Sequence, residues 1–329
     1  MKALVFKDSC LQMAAHYPKP EPGENEALIR VTMAGICGTD LEIMEGYKGF
    51  TGILGHEFCG VIEKVGEGAD PESDKLSPGM RVVGEINCGC GNCGYCLKGV
   101  AAHCPERVTL GINGKDGCFA EYITLPLSNL FAVPPGVSDK EAVFIEPLAA
   151  ALEITGQVHV WPGAAVAVLG DGKLGILSAL TLNLTQADVT LVGKHPEKMS
   201  VAKAQGVKTA RADDLIAGGI AGKYDIVVEA TGSAGGFERA CEIVKARGCL
   251  VLKSTTAGGE GFNLTPVVLK EITVVGSRCG PFAPALQVLE KKLLDVNPLV
   301  AAVFKFDRAV EAFNYCRSGS PLKVLLDLS

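Results

Sequence analysis

One glycine-punctuated turn limits this chain more than any other feature. The run Ala165-Val166-Ala167-Val168-Leu169 leads into Gly170-Asp171-Gly172-Lys173-Leu174-Gly175, after which Ile176-Leu177-Ser178-Ala179-Leu180 reads as helix. Glycine at 170 and 172 permits a tight turn and lets a pyrophosphate approach the backbone N–H groups, while glycine at 175 lets the helix pack on the strand. A glycine pattern alone is weak. Placed between a strand and a helix, with Lys173 and Leu174 completing the turn, it predicts the first unit of a dinucleotide-binding parallel sheet.

The rest of the second half agrees. Strands are predicted at residues 188–192, 225–229, 249–252 and 272–275, alternating with helical stretches, which implies βαβ units and a Rossmann sheet. The first 135 residues read differently, with short β-rich runs at 27–31, 60–65, 81–83 and 120–124 between glycines and prolines. That pattern suggests a β-rich, barrel-like domain. Residues 138–153 read as one helix leading out of it. The fold class is therefore α/β, with residues 1–148 and 283–329 in the β-rich domain and residues 149–282 in the Rossmann domain. The last part, with helical stretches near 285–294 and 309–313 and a strand at 322–326, is expected to rejoin the first domain.

Two metal sites can be read in that first domain. Cys90, Cys93 and Cys96 stand at two-residue gaps and Cys104 follows after seven intervening residues. Four thiolates held this closely close a tetrahedral shell around one zinc ion and leave no position for substrate, which is a structural site. Cys88 lies just before them and is a competing ligand by spacing. The alternative of disulfides is disfavoured by the opening Met1-Lys2-Ala3-Leu4-Val5-Phe6, which has no basic and apolar secretory leader. The second set is Cys37, His56 and Glu57 with a later Glu146, in a chain of only five histidines. Catalytic zinc is held by three such groups with a fourth position open. The remaining eight of the thirteen cysteines are scattered, and no redox role is assigned to them.

Composition excludes other classes. The 329 residues carry a net charge of −6 with no Lys/Arg block, which argues against a nucleic acid or an anionic membrane as partner. No apolar run approaches the length of a membrane span. A small-molecule substrate and a cytoplasmic location are the expectations.

The second strand bears on the cofactor. In NAD sites that strand usually ends in Asp or Glu, which hydrogen-bonds the ribose hydroxyls and repels a 2′-phosphate. Here it ends Val192-Gly193-Lys194-His195, with Lys198 one turn on. The missing carboxylate and three basic groups predict NADP over NAD, and an acid placed at Gly193 is expected to shift preference towards NAD.

Together these residues resemble the zinc-dependent medium-chain dehydrogenase/reductase family, which includes alcohol, sorbitol, threonine and glucose dehydrogenases. The similarity spans essentially the whole chain. It rests on Cys37-Gly38-Thr39-Asp40, Gly55-His56-Glu57, the four-cysteine lobe, Glu146-Pro147-Leu148-Ala149, the Gly170 to Gly175 turn and Glu229-Ala230-Thr231-Gly232. The resemblance implies a GroES-like catalytic domain, one catalytic and one structural zinc per chain, a homodimer or homotetramer, and Thr231 beside the cofactor. The Glu-Pro-Leu-Ala segment points to the polyol and sugar branch. Glu57 and Glu146 are then alternatives as zinc ligand and as partner of the zinc-bound water.

The chain also departs from the family. Glu42 replaces a proton-relay histidine used by many members, and Ala150 stands where glucose dehydrogenases often carry a sugar-binding carboxylate. The resemblance implies oxidation of a secondary alcohol, polyol or sugar hydroxyl by hydride transfer. Thr39 is expected to accept the hydroxyl proton, Glu42 to serve as a later station, and Asp40 to orient the His56 ring. Two alternatives stand beside this reading: a zinc-independent quinone or enone reductase on the same fold, and a non-enzymatic protein that binds zinc and nucleotide.

Overall fold

A computed structural model describes residues 1–68, 76–217, 222–233, 235–255 and 261–329. Contacts divide the chain into two units, Met1–Glu146 with Val300–Ser329, and Pro147–Leu299.

The first unit is built from short strands. These are β1 (Ala3–Lys7), β2 (Cys10–Ala14), β3 (Glu26–Ile36), β4 (Gly52–Ile53), β5 (Glu57–Val65), β6 (Arg81–Gly84), β7 (Asn87–Cys88), β8 (Val108–Leu110), β9 (Gly114–Lys115), β10 (Tyr122–Pro126) and β11 (Leu130–Ala132). The largest sheet runs β11-β6-β5-β3 and continues into two strands from the end of the chain, with β10 also paired to β3. The long β3 is its spine, because Leu28 to Ile36 is apolar on both faces apart from Arg30 and Thr32 and is buried almost throughout. Phe58, Phe119, Leu125 and Phe313 fill the core around it, with the Phe119 and Phe313 rings edge to face at 5.6 Å.

Helix α1 (Gly38–Met44) leaves the end of β3. The stretch read as one helix over 138–153 is two, α2 (Asp139–Ala142) and α3 (Ile145–Gln157). Ser138 and Glu141 form a reciprocal capping box that starts α2. Pro147 explains the break, since it has no N–H to offer the carbonyl four residues back and is tolerated only in the first turn of α3.

The second unit is a six-stranded parallel sheet. Its strands are β12 (Ala165–Leu169), β13 (Asp188–Gly193), β14 (Lys208–Arg211), β15 (Tyr224–Glu229), β16 (Val244–Leu252) and β17 (Thr273–Gly276). They lie in the order β14-β13-β12-β15-β16-β17, so the sheet winds outward in both directions from β12. Helices α4 (Lys173–Asn183), α5 (Pro196–Lys203), α6 (Ala212–Ala217), α7 (Gly235–Ile243), α8 (Thr265–Leu269) and α9 (Phe282–Glu290) connect or follow them. α4 starts against the turn because Gly175 has no side chain; a Cβ there would fall inside contact distance of the Gly170 carbonyl oxygen. β14, four residues of mixed polarity, has no apolar alternation and escaped the sequence reading.

The chain returns to the first unit later than expected. Residues 283–299, assigned from sequence to the first domain, belong to the second unit. The Gln205 side chain fixes this segment, donating to the Asp295 carbonyl and accepting from the Asp295 N–H, both at 2.8 Å. The return comes with β18 (Val300–Lys305), followed by α10 (Ala309–Gly319) and β19 (Lys323–Asp327). β19 pairs antiparallel with β3 and parallel with β18.

Candidate active site

Cys37 is the first residue beyond β3 and the N-cap of α1, and His56 immediately precedes β5. Because β3 and β5 are neighbours in register, with Gly35 opposite Glu57, the two short motifs meet at one end of the sheet. Donor atoms of Cys37, His56 and Glu57 lie within 4.8 Å of one another, close enough for one ion to reach all three.

Asp40 joins these segments. Its Oδ2 accepts from the Cys37 N–H at 2.8 Å, its Oδ1 accepts from the Gly55 N–H at 3.2 Å, and Oδ1 lies 3.4 Å from His56 Nδ1. Asp40 and His56 are both buried. Burial opposes charge on the His56 ring, yet Asp40 and then Cys37 outweigh it by charge and hydrogen bonding, and hold the imidazole pKa well above its ordinary range. Zinc fits this donor set, with Asp40 fixing the ring through its far nitrogen.

Glu57 carries the feature that sequence reasoning missed. Its Oε2 accepts from the Nζ of Lys323 on β19, and both side chains are fully buried. Lys323 Nζ also stands 5.5 Å from the centre of the Phe144 ring. The Glu57 carboxylate passes over Gly35, where a Cβ would lie 2.6 Å from Oε2 and 2.7 Å from a Val143 methyl. The signal was present in the sequence as one lysine inside the apolar strand Leu322-Lys323-Val324-Leu325-Leu326.

Glu146, in the first turn of α3, is outside the group of three among the described residues. It belongs to the same electrostatic environment. Burial raises its pKa, His56 and Lys323 lower it, and the charges of Glu57 and Glu85 raise it further, for a net rise. Thr39 sits with Oγ1 3.8 Å from Cys37 Sγ. Glu42, on α1, is half-buried, and burial with the charge of Glu45 raises its carboxyl above the usual range.

The four-cysteine lobe is also assembled. The sulfurs of Cys90, Cys93, Cys96 and Cys104 all lie within 4.8 Å of one another, with Cys93 and Cys96 3.6 Å apart. All thirteen cysteines are free thiols. Cys88 is not part of the cluster. It pairs with Val108 across β7 and β8 and packs into the core, where burial pushes its thiol up to about 11.

In the second unit a cavity of about 570 Å³ opens at the end of the sheet where β12 and β13 finish. Gly170, Gly172, Gly193, Lys194, His195 and Thr231 line it, as the sequence reading proposed for a cofactor site. Lys173, Leu174 and Gly175 form the first turn of α4 behind it, and Lys198 on α5 is outside the lining among the described residues. Thr231 is held by Glu229, which accepts from its N–H at 2.8 Å and its hydroxyl at 2.5 Å. Asp171 also lines the cavity and had no role in the sequence reading. Elsewhere in this unit the buried Lys253 donates to the carbonyl of Ala150 at 2.6 Å, so the backbone at that position is occupied by a lysine of the chain itself. No helix among the described residues is long and apolar enough to cross a membrane.

Comparison with known proteins follows the same division. Residues 23–135 match the alcohol dehydrogenase GroES-like domain, and residues 174–291 match the zinc-binding dehydrogenase family. A sorbitol dehydrogenase from Halalkalibacterium halodurans is 30% identical, covering 94% of this chain and 93% of its own. A zinc-binding dehydrogenase structure from Sinorhizobium meliloti 1021 bound to NADP is similar with a TM-score of 0.90 at 27% identity, covering 99% of this chain and 98% of its own. An alcohol dehydrogenase structure from E. coli CFT073 complexed with NADH also has a TM-score of 0.90 at 27% identity, covering 100% of this chain and 99% of its own. With a GroES-like unit, a Rossmann unit and two clusters of zinc-type donors, the chain belongs to the zinc-dependent medium-chain dehydrogenase/reductase family and is an NAD(P)-dependent dehydrogenase.

Proposed function

We propose that this protein oxidises a secondary alcohol, polyol or sugar hydroxyl at a zinc held by Cys37, His56 and a carboxylate, with NAD or NADP as hydride acceptor. The observation that carries this reading is the convergence of donor atoms of Cys37, His56 and Glu57 within 4.8 Å of one another. Bound zinc supplies Lewis acidity, which lowers the pKa of a substrate hydroxyl, and the nicotinamide takes up the hydride.

The chain's own residues do the rest. Asp40 holds the His56 ring in orientation and ties it to the Cys37 turn. Thr39 accepts the hydroxyl proton at Oγ1, and Glu42 is a later station, its raised pKa bringing it closer to neutral pH. The Lys323 contact occupies one oxygen of Glu57, and Glu146, in the same buried electrostatic environment, is the alternative carboxylate that would hold the zinc. The four-cysteine lobe binds the second, structural zinc.

For the cofactor, Gly193 without a carboxylate and Lys194 and His195 in the lining support NADP. The carboxylate of Asp171 beside them supports NAD, and the reading covers both. A cytoplasmic homodimer or homotetramer completes it, with sedimentation as the check on assembly.

The test is reduction of NAD and NADP by zinc-replete protein across secondary alcohols, polyols, aldoses and threonine, together with zinc content. Turnover with two zinc ions per chain is expected. Enone or quinone reduction without the catalytic zinc would favour the metal-independent reductase. One zinc, bound nucleotide and no turnover would favour the non-enzymatic reading.

A further inference from the structure

We propose that Asp171 replaces the acid that the second strand lacks, accepting the adenosine ribose hydroxyls and selecting NAD over NADP. This rests on the dehydrogenase reading above and reverses the expectation of NADP drawn from Gly193.

The expectation treated the end of β13 as a place without a carboxylate. It has one, supplied by the glycine turn. Asp171, between Gly170 and Gly172, reaches across to β13, and its carboxylate fills the space where Gly193 would carry a Cβ. Oδ2 accepts from the N–H groups of Lys194 and His195, both at 2.6 Å, and His195 Nδ1 lies 3.1 Å from each oxygen. Gly193 is therefore the residue that admits Asp171. An acid on the strand and an acid in the turn exclude one another sterically, and this chain has the second.

The charges around the cavity weigh the same way. The Asp171 side chain is only 12% exposed and is fixed by these contacts, so water screens its charge poorly, and the cavity is the space it borders. Burial works to raise its pKa, but the N–H and ring of His195 and the N–H of Lys194 outweigh that and hold it below the usual carboxylate range, so it is ionised at neutral pH. The opposing cations are weaker. Lys194 is exposed and screened, Arg239 is paired with Glu242 at 3.4 Å, and the His195 ring already faces Asp171. A ribose diol offers two hydroxyl donors to a carboxylate, whereas a 2′-phosphate brings only acceptors and like charge.

Calorimetric binding of NAD and of NADP to the zinc-loaded full-length protein tests this without reference to turnover. The unsubstituted protein is expected to bind NAD at least about tenfold more tightly, the scale of one charge-assisted hydrogen bond. Asp171→Asn removes the charge and is expected to bring the two affinities within about threefold of each other. Combining Asp171→Gly with Gly193→Asp moves the acid to the strand and is expected to restore the preference for NAD. Equal or tighter binding of NADP by the unsubstituted protein overturns the proposal, as does an unchanged ratio in folded Asp171→Asn. If neither dinucleotide binds, the dehydrogenase reading itself fails.

Discussion

Lys323 and Glu57 form an ion pair with both side chains fully buried, one from the last strand of the chain and the other directly after His56. A carboxylate taken out of water is tolerated only when paired, so the two charges depend on each other. Lys323→Met is expected to destabilise the protein by about 3 kcal/mol, because it removes one charge of a buried pair. Adding Glu57→Gln to that variant is expected to recover much of the loss. Urea midpoints for the two singles and the double close the cycle, and additive losses would rule out the coupling.

Gly35 gives Glu57 its path to Lys323. Gly35→Ala sets a methyl 2.6 Å from the Glu57 oxygen and 2.7 Å from Val143. A cost of about 1–3 kcal/mol is expected from overpacking, with weaker zinc retention because the carboxylate must move. Thermal melting with zinc analysis of the dialysed protein measures both. Stability and zinc content like those of the parent would show that the crowding is relieved elsewhere.

The two metal sites are expected to fail differently. Cys37→Ser lowers zinc from two to one per chain and abolishes turnover, with dinucleotide binding retained because the cavity is built from Gly170 to His195 and Thr231. Cys93→Ser also removes one zinc, but its main effect is on stability, since a closed thiolate site contributes folding energy. Metal analysis beside calorimetry separates them, and full activity in Cys37→Ser would remove the catalytic assignment.

Alkaline pH is expected to weaken the fold through its buried thiols. Burial, and then the Asp139 charge, push Cys59 up to about 12, and burial pushes Cys88 up to about 11. In the unfolded chain both ionise near ~8.5. Above that pH the unfolded state binds fewer protons than the native state, so stability falls as pH rises towards the native values. Cys59→Val is expected to show a shallower decline in urea midpoint between pH 8 and pH 10, and a slope equal to the parent's would remove Cys59 as a contributor.

Much of this was legible in the sequence because the informative groups are close together along the chain. The glycine turn, the two-residue cysteine gaps and the Cys37 and His56 words each fit within one turn or strand end, where spacing constrains geometry. What escaped depends on tertiary placement. Asp171 looked like the variable position of a glycine motif, and only its reach to Gly193 gives it a role. Lys323 stands in the predicted last strand with no partner assigned, and the pairing of β19 with β3 brings it to Glu57. Residues 283–299 read as part of the first domain because helical periodicity does not say which core a helix joins, and the Gln205 contact with Asp295 decides it.

The Lys323 contact also gives the fold a timetable. Glu57 and its lysine are separated by 266 residues, including the whole Rossmann unit. At synthesis rates of about 5–20 residues per second, Glu57 emerges roughly 13–53 s before its partner exists. Throughout that interval the nascent first unit lacks the two strands that complete its largest sheet, and the Lys323 partner of Glu57 with them. The buried Glu57–Lys323 pair is therefore a late product of biosynthesis, completed by the final strand although its carboxylate is made early.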